Sequence, residues 1–311
     1  MNVIVMSTYN GGQYLQRQLD SVLRQTVTDF TLLIRDDGSS DDTMQILARY
    51  DDPRIRVTAG ENLGACGSFL ALLDEARQLQ PNYLFFCDQD DIWQDNKLEL
   101  LLDEIKKIPE GPSLVFSDFS MIDSQDKPTG ESYTAMAGLQ IPADGNFFPK
   151  LLAQPYIFGC ACVMNRELLE LVKDPPADIE MYDCWIGLVA SVFGKVQYLP
   201  QATIAHRFHS SNATGQAGMN SLSTRIRRVT KQFQKQVANT KLRLQQAQLL
   251  LERYPGLLSD AQKQQLTQIA EAGRKGGFYA IRTLRKYAVA RGGTLQTWFF
   301  YATAFMCKGD K

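Results

Sequence analysis

At Tyr83-Leu84-Phe85-Phe86-Cys87-Asp88-Gln89-Asp90-Asp91 the chain passes directly from a short apolar run to a cluster of carboxylates. Five apolar and aromatic residues bounded by polar ones predict a buried β-strand. Carboxylates that crowd the end of a strand repel one another, so the cluster is costly unless a cation lies among them. The alternative is a solvated acidic turn that caps the following helix, and the four residues alone do not distinguish the two.

The same alternation of apolar run, polar loop and helix-spaced residues extends through the first 120 residues. Repeated strand–helix units of about 30 residues predict an α/β fold, with a mostly parallel sheet covered by helices on both faces. In such sheets, ligands bind beyond the carboxyl ends of the strands. Four further apolar runs are predicted strands, at residues 3–6, 30–34, 55–57 and 114–116.

Two of these predicted strands also end in polar loops. Ser-Thr-Tyr-Asn-Gly-Gly occupies residues 7–12, and Asp-Asp-Gly-Ser-Ser-Asp occupies residues 36–41. A carboxylate in the second loop could accept hydrogen bonds from a nucleobase or a ribose, although the loop taken alone is better explained as a helix cap. Because parallel strands end at one edge of a sheet, we expect both loops to face the acidic cluster across a single crevice.

Charge divides unevenly along the chain, although the formal net charge is only -1. Residues 1–215 carry 16 Lys and Arg against 30 Asp and Glu, whereas residues 216–311 carry 17 against 4. The acidic part suits cations and the substrates delivered with them, and the basic part suits an anionic surface. We therefore predict one domain at residues 1–218 and a basic helical region at residues 219–311.

The basic region interleaves cationic and apolar side chains at helical spacing, notably at residues 278–288, and aromatic residues follow at 298–301. This pattern is typical of a helix that lies in the interface of an anionic membrane. The alternative is a helical subdomain, which could also form a homodimer through Val237, Leu244 and Leu251. No recognition-module pattern accompanies the charge, so nucleic acid is not an expected partner.

The sequence predicts a cytoplasmic protein that is peripheral at the inner face of the cell membrane. Its six cysteines form no CxxC pair, which favours a reducing compartment. No basic segment precedes the first apolar run, so no signal peptide is expected. The longest strongly apolar stretch, near residues 298–307, is about half of the ~20 residues that a spanning helix needs.

Taken together, these motifs resemble the successive motifs of family 2 glycosyltransferases with the GT-A fold. The resemblance covers roughly residues 1–215 and rests on residues 5–11, 35–41, 62–64 and 88–93, with Lys97 following, in matching order and spacing. In overall texture the chain is similar, more narrowly, to bacterial rhamnosyltransferases that build streptococcal rhamnan cell-wall polysaccharides. The resemblance implies a GT-A catalytic domain, Rossmann-like with a mostly parallel central sheet, followed by the C-terminal helical region.

The resemblance also implies roles for individual residues. Asp90 and Asp88 would bind a divalent metal ion, Mn²⁺ or Mg²⁺, together with His209 of an Arg-x-His-x-x-Asn segment. Asp183 would be the general base, and Tyr182 stands beside it where relatives often carry His. The residues that would bind the nucleotide sugar are Thr8, Tyr9, Asn10, Asp36, Asp37, Asn62, Lys97, Asp88 and Gln89.

The implied reaction is inverting transfer of a sugar, L-rhamnose from dTDP-rhamnose, onto a lipid-linked saccharide in cell-wall polysaccharide synthesis. Such a reaction needs a base on the acceptor hydroxyl and a Lewis acid on the leaving diphosphate. One alternative is a sugar-1-phosphate nucleotidylyltransferase, which would carry a basic, Gly-rich loop after the first strand, whereas residues 7–12 contain no basic residue. The other is a catalytically inactive sugar-binding subunit of a polysaccharide-synthesis complex, and the presence of Asp90 and Asp183 argues against it.

Overall fold

The structure is a computed structural model that describes residues 1–130, 132–207 and 222–307. The strands of this part of the chain are β1 (Asn2–Thr8), β2 (Phe30–Asp36), β3 (Ile55–Ala59), β4 (Tyr83–Cys87), β5 (Ile92–Trp93), β6 (Ser113–Ile122), β7 (Cys162–Asn165) and β8 (Lys195–Arg207). The helices are α1 (Leu15–Leu23), α2 (Thr43–Leu47), α3 (Gly64–Gln78), α4 (Lys97–Ile105), α5 (Tyr133–Met136), α6 (Phe148–Ala153), α7 (Arg166–Leu171), α8 (Tyr182–Phe193), α9 (Leu222–Arg253), α10 (Asp260–Lys275), α11 (Gly277–Lys286) and α12 (Thr294–Met306).

The described strands form one sheet in the order β3-β2-β1-β4-β7-β6-β8-β5. β1 pairs in parallel with both β2 and β4, and β2 pairs in parallel with β3. β7 runs antiparallel to β4 and to β6, whereas β6 and β8 are parallel. The carboxyl ends of β1, β2 and β4 therefore lie side by side at one edge of the sheet. The prediction of an α/β fold with a mostly parallel central sheet and C-terminal helices is confirmed.

Burial on both faces explains the continuous apolar runs in the central strands. All four residues at 3–6 in β1 are fully buried, as are Phe85 and Phe86 in β4. A strand covered by helices on both sides has no solvent face, so its sequence does not alternate between apolar and polar residues. The five predicted strands are confirmed at their positions, and β6 is longer than predicted, at 10 residues.

The described chain divides into two units. The first contains Met1–Ala137, Ile157–Asp174 and the described residues from 181 to 207, and it holds the whole sheet. The second contains Gly138–Tyr156, Pro175–Glu180 and the described residues from 222 onward. Two internal segments thus belong to the second unit together with the C-terminal helices. The predicted boundary at residues 218/219 stays a prediction.

The second unit is built on the long helix α9. Arg243 of this helix forms an ion pair with Glu180 at 3.0 Å and donates a hydrogen bond to the Ala153 carbonyl at 3.3 Å, which ties both internal segments to it. A Cβ added at Gly273 would lie 2.8 Å from the Leu244 side chain, so α10 packs closely on α9 there. No helix among the described residues is both long enough and apolar enough to span a bilayer.

Candidate functional site

The loops that follow β1 and β4 are joined by hydrogen bonds. The Tyr9 N–H donates to Gln89 Oε1 at 2.8 Å, and Gln89 Nε2 donates to the Tyr9 carbonyl at 3.0 Å. A Cβ at Gly11 would lie 2.1 Å from Gln89 Oε1, so a larger residue there would displace the Gln89 side chain. Asn10 has a φ of 47°, a region in which asparagine is enriched, and its Oδ1 accepts the Ser40 N–H at 2.9 Å. The structure thus brings Tyr9, Asn10 and Gln89 together, with the Tyr9 side chain half exposed.

Thr8 and Asp36 are buried, and they bond to each other. The Thr8 hydroxyl donates to Asp36 Oδ1 at 3.0 Å. The same carboxylate accepts bonds from the Gly38 N–H, from the Ser39 N–H at 2.8 Å and from the Ser39 hydroxyl at 2.6 Å. Four donors from the chain therefore already engage Asp36, and they fix the shape of the loop after β2. Nucleotide binding by Thr8 and Asp36 stays a prediction.

Asp37 connects the end of β2 to the segment before α3. Its buried carboxylate forms an ion pair with Arg35 and accepts the Leu63 N–H at 2.9 Å. Asn62, which is exposed, accepts the Gly64 N–H on its Oδ1 at 3.1 Å. Asp37 and Asn62 therefore lie on one continuous rim of the sheet edge, and their roles in nucleotide binding stay predictions.

The acidic cluster after β4 is electrostatically strained. Burial raises the pKa of Asp88 to about 7, and repulsion from Asp91 and Asp90 adds to the effect. Asp183 also raises the pKa of Asp88, more weakly, which indicates that this carboxylate faces the same region. At neutral pH a cation among these groups would therefore stabilise their ionised forms.

Asp91 is the buried member of the cluster. Its Oδ1 lies 2.8 Å from His206 Nδ1 and accepts the Arg207 N–H at 3.1 Å, while the side chain has no exposed surface. Burial acts to raise the pKa of Asp91, but His206 and the Arg207 N–H outweigh it, so the pKa is lowered. Burial acts to lower the pKa of His206, but Asp91 outweighs it and raises that pKa to about 9.

Four side chains of three types, two carboxylates, a thiol and an imidazole, could hold a metal ion. Ligand atoms of Asp88, Asp91, Cys160 and His206 all lie within 4.8 Å of one another. The predicted ligand Asp88 belongs to this group, whereas Asp90 does not belong to it. His209 lies outside the described residues, so the predicted set of Asp90, Asp88 and His209 stays a prediction.

Lys97, a predicted binding residue, lies behind the acidic cluster. It has no exposed surface, and its ammonium sits 3.7 Å from the centre of the Trp93 ring and donates a hydrogen bond to the Cys160 carbonyl. Burial lowers the pKa of Lys97. In this arrangement Lys97 supports the cluster from within the protein, and direct contact with a nucleotide sugar stays a prediction.

Arg207, at the end of β8, fastens two loops. Its Nε donates to the Asp90 carbonyl at 2.8 Å, and a terminal nitrogen donates to the Asp123 carbonyl at 2.9 Å. The buried guanidinium also forms an ion pair with Asp126 and lies 4.4 Å from the centre of the Tyr14 ring. Arg207 therefore holds the acidic loop and the turn after β6 in fixed positions.

The predicted base Asp183 lies in the first turn of α8. Its Oδ2 accepts the Gly159 N–H at 3.0 Å, and its Oδ1 accepts the Cys184 N–H at 2.8 Å. Burial raises the pKa of Asp183, although these bonds act in the opposite direction. Next to it, the Tyr182 ring stacks 4.3 Å from the Phe69 ring, centroid to centroid. A half-buried carboxylate with a raised pKa is a stronger base than an ordinary aspartate.

Besides His206, which belongs to the group that could hold a metal ion, three residues of the site were missed by the sequence analysis. Asp91 was interpreted there only as part of an acidic cluster or helix cap, and Cys160 carried no local signal. Arg207 begins the Arg-x-His-x-x-Asn segment, so its position did contain a signal. The contacts of all three depend on β8 and on residues 159–161, which are remote from the acidic loop in sequence.

Comparison with known proteins identifies the family. The model of glycosyl transferase family 2 matches residues 3–172. Two relatives are an uncharacterised glycosyltransferase of Rickettsia conorii, 26% identical over 216 residues, and the UDP-Glc:alpha-D-GlcNAc-diphosphoundecaprenol beta-1,3-glucosyltransferase WfgD of Escherichia coli, 28% identical over 187 residues. The matches cover 68% and 60% of this chain, and 34% and 68% of the two relatives. The chain thus spans only about a third of the first relative.

A solved structure supports the fold. Residues 1–349 of TarS from S. aureus, in complex with UDP-GlcNAc, match with a TM-score of 0.56 at 16% sequence identity. The match covers 88% of this chain and 72% of that one. The family model spans more than half of the chain, including the carboxyl ends of β1, β2 and β4. The chain belongs to glycosyl transferase family 2 and has the GT-A fold.

Proposed function

We propose that this protein is an inverting glycosyltransferase that uses a nucleotide sugar as donor. The observation that supports it most directly is the juxtaposition of two desolvated carboxylates, Asp88 at the strand edge and Asp183 at the start of α8. Each has a raised pKa because of burial, and Asp183 contributes to the raised pKa of Asp88. Two acidic groups that face one region suit a reaction in which one carboxylate, Asp88, helps to bind a charged donor. The other, Asp183, accepts a proton.

Asp183 is proposed as the general base. The acceptor hydroxyl attacks the anomeric carbon from the face opposite the leaving group, and the Asp183 carboxylate takes its proton. The new C–O bond forms as the bond to the diphosphate breaks, so the nucleoside diphosphate leaves with the electron pair. The Gly159 and Cys184 N–H groups each bond one carboxylate oxygen, which fixes the orientation of the base.

The donor set fits a hard divalent cation such as Mn²⁺ or Mg²⁺. Carboxylate oxygens from Asp88 and Asp90 are the ligands such ions prefer, and His209 is proposed as a third ligand. Burial and neighbouring acids raise the pKa of Asp88, and a bound cation would stabilise the ionised form of this carboxylate. When bound, the cation supplies charge neutralisation at the leaving diphosphate.

The proposed donor is dTDP-L-rhamnose, and the proposed acceptor is a lipid-linked saccharide in cell-wall polysaccharide synthesis. The acceptor class is supported by the E. coli relative, whose name describes transfer to GlcNAc-diphosphoundecaprenol. The donor rests on the resemblance to rhamnosyltransferases. Nucleotide contacts are proposed for the half-exposed ring of Tyr9, for Asp37 and for Asn62 on the same rim.

We also propose that the helices α11 and α12 attach the protein to the inner, anionic face of the membrane. Phe278, Leu295 and Trp298 have exposed fractions of 80%, 84% and 60%. Such side chains lose their contact with water when they enter a lipid interface, and the nearby basic residues attract acidic headgroups. The alternative of a homodimer through Leu244 is less favoured, because that side chain is buried within its own unit.

The experiment that tests the function is transfer by wild type and by Asp183→Asn, with a panel of nucleotide sugars and a lipid-linked acceptor. We expect Asp183→Asn to lower the turnover number by about 10²–10⁴-fold, because the base is lost, while donor affinity stays unchanged. Asp103→Asn, an exposed site on α4, is the matched control and should behave as wild type. Unchanged turnover in Asp183→Asn would remove the proposed base, and no transfer from any donor by wild type would overturn the function.

A further inference from the structure

One thiol of the site has no part in the proposed transfer reaction. Cys160, on the short turn Gly159–Ala161, is 3% exposed, and its sulfur lies among ligand atoms of Asp88, Asp91 and His206. We propose that these four side chains form a zinc-binding site, which shares Asp88 with the proposed site of the hard cation but differs from it in the other ligands. Sulfur and imidazole ligands favour Zn²⁺ over Mg²⁺, which prefers oxygen ligands throughout.

The geometry is close to that of a tetrahedral zinc site. Zinc bonds of 2.0–2.3 Å place neighbouring ligand atoms about 3.3–3.8 Å apart. The ligand atoms here lie within 4.8 Å of one another, so each pair needs to approach by about 1.5 Å at most.

One carboxylate oxygen of a proposed ligand residue is buried without a partner. Asp91 Oδ2 accepts no hydrogen bond from the described residues, although the Asp91 side chain has no exposed surface. A buried carboxylate oxygen without a partner is unfavourable, and a metal ion at this position would satisfy it. This atom is therefore independent support for a cation inside the group, beyond the clustering of the four residues.

The charges of the site also balance with zinc bound. Two carboxylates and the Cys160 thiolate carry three negative charges, while Zn²⁺ and the buried ammonium of Lys97 carry three positive charges. The Cys160 thiol and the His206 imidazolium each release a proton to solvent when the metal binds. Lys97 bonds to the Cys160 carbonyl, and the Phe119 ring meets the His206 ring edge-on at 5.2 Å, so neighbouring groups hold two of the ligands in position.

Because Asp88 belongs to both sites, zinc at this position would prevent Asp88 from serving the donor-bound cation. Zinc is then an inhibitor of transfer, a consequence that rests on the proposed function. Zinc binding itself does not depend on it, since no nucleotide sugar takes part.

The test is direct metal binding to the full chain without nucleotide sugar, in excess Mg²⁺. We expect wild type to bind one Zn²⁺, and the Co²⁺ form to have a sulfur-to-metal charge-transfer band. Cys160→Ala should lose the band and bind Zn²⁺ at least about tenfold more weakly. Cys162→Ala, equally buried two residues away, is the matched control and should retain both properties.

Absence of the thiolate band in Co²⁺-loaded wild type would overturn the proposal, and this measurement needs no variant to fold. Equal zinc affinity of Cys160→Ala and wild type would also overturn it. Inhibition of transfer by zinc is then measured separately in wild type and Cys160→Ala. If wild type transfers no sugar at all, the proposed function fails, while the binding result still decides the zinc site.

Discussion

The Asp183 carboxylate must be ionised to act as a base, and burial opposes its ionisation. Because its pKa is raised, we expect transfer to decline as the pH falls through a value above the ordinary 3.8 of an aspartate. The measurement is turnover against pH at saturating metal and donor. The residual activity of Asp183→Asn should lack this acidic limb. An identical limb in the variant would assign the titration to another group.

Gly159 is expected to be essential because the Tyr182 hydroxyl occupies the space of a side chain. A Cβ at this position would lie 2.1 Å from Tyr182 Oη, and the ring cannot retreat because it packs on Phe69 and Phe86. Gly159→Ala should destabilise the fold by about 1–3 kcal/mol and reduce turnover, since the clash would displace the backbone N–H that orients Asp183. Denaturant unfolding and turnover are the measurements.

The double variant Gly159→Ala with Tyr182→Phe provides the check, because removal of the hydroxyl relieves the shortest contact. Part of the lost stability should return. If the double variant loses as much free energy of unfolding as the two single variants together, or more, the clash is not the cause of the defect.

At the scale of residues, sequence predicts which acids gather at the site but not how they differ. Asp88, Asp90 and Asp91 are chemically identical, and the burial of Asp91 is decided by β8, more than 100 residues away. Lys97, whose contact with the nucleotide sugar stays a prediction, is enclosed under the Trp93 ring, which its position after the acidic cluster does not indicate. Such differences arise from tertiary packing, which spacing along the chain does not encode.

At the scale of elements, one carboxylate pairs with two arginines, one at the end of β8 and one on α1. Arg207 and Arg17 both pair with Asp126, but the Arg207 side chain is fully buried and that of Arg17 is 57% exposed. We expect Arg207→Gln to cost about 1–3 kcal/mol, because the Asp90 and Asp123 carbonyls lose the donors of the buried guanidinium, while Asp126 keeps Arg17 as its counterion. Arg17→Gln should cost less than about 1 kcal/mol, since water screens an exposed pair.

Chemical denaturation of both variants measures this difference. Donor binding should also weaken in Arg207→Gln, because the guanidinium holds the Asp90 carbonyl, and it should be unchanged in Arg17→Gln. Equal stability of the two variants would contradict the role of burial.

The elements themselves were predictable to different degrees. The strands from residue 3 to residue 116 were found because continuous apolar runs mark buried parallel strands. β5 and β7 have only 2 and 4 residues, too few to form a recognisable pattern, and both depend on antiparallel partners distant in sequence. The end of α9 at Arg253 is explained locally, because Pro255 cannot continue a helix.

At the scale of the whole molecule, the basic C-terminal part should direct the protein to acidic lipid. We expect the full chain to float with anionic vesicles, less so at high salt, and not with zwitterionic vesicles. The change Leu295→Ser with Trp298→Ser should weaken flotation. Leu257→Ser is the matched control, since Leu257 is 61% exposed but lies in the turn after α9.

Flotation of the double variant equal to that of wild type would exclude these side chains as the lipid contact. Flotation with zwitterionic vesicles alone would remove the electrostatic part of the argument.

The charge asymmetry predicted two parts of the chain, but it did not predict their composition. Residues 138–156 and 175–180 belong to the second unit through contacts such as that of Arg243 with Glu180. The composition of these segments does not reveal that they belong to the second unit, because their contacts with Arg243 of α9 span 63 and 90 residues of the chain.

The loop of four residues between Cys87 and Ile92 has a consequence for how fast a donor binds. Strands enclose it on both sides, Gln89 fastens it to the loop after β1, and Asp91 fastens it to β8. A receptor that is rigid before its ligand arrives loses little further conformational entropy on binding. The rate at which this loop binds the diphosphate of the proposed donor should therefore be limited by diffusional encounter and by removal of water. It should not be limited by a rearrangement of the loop itself.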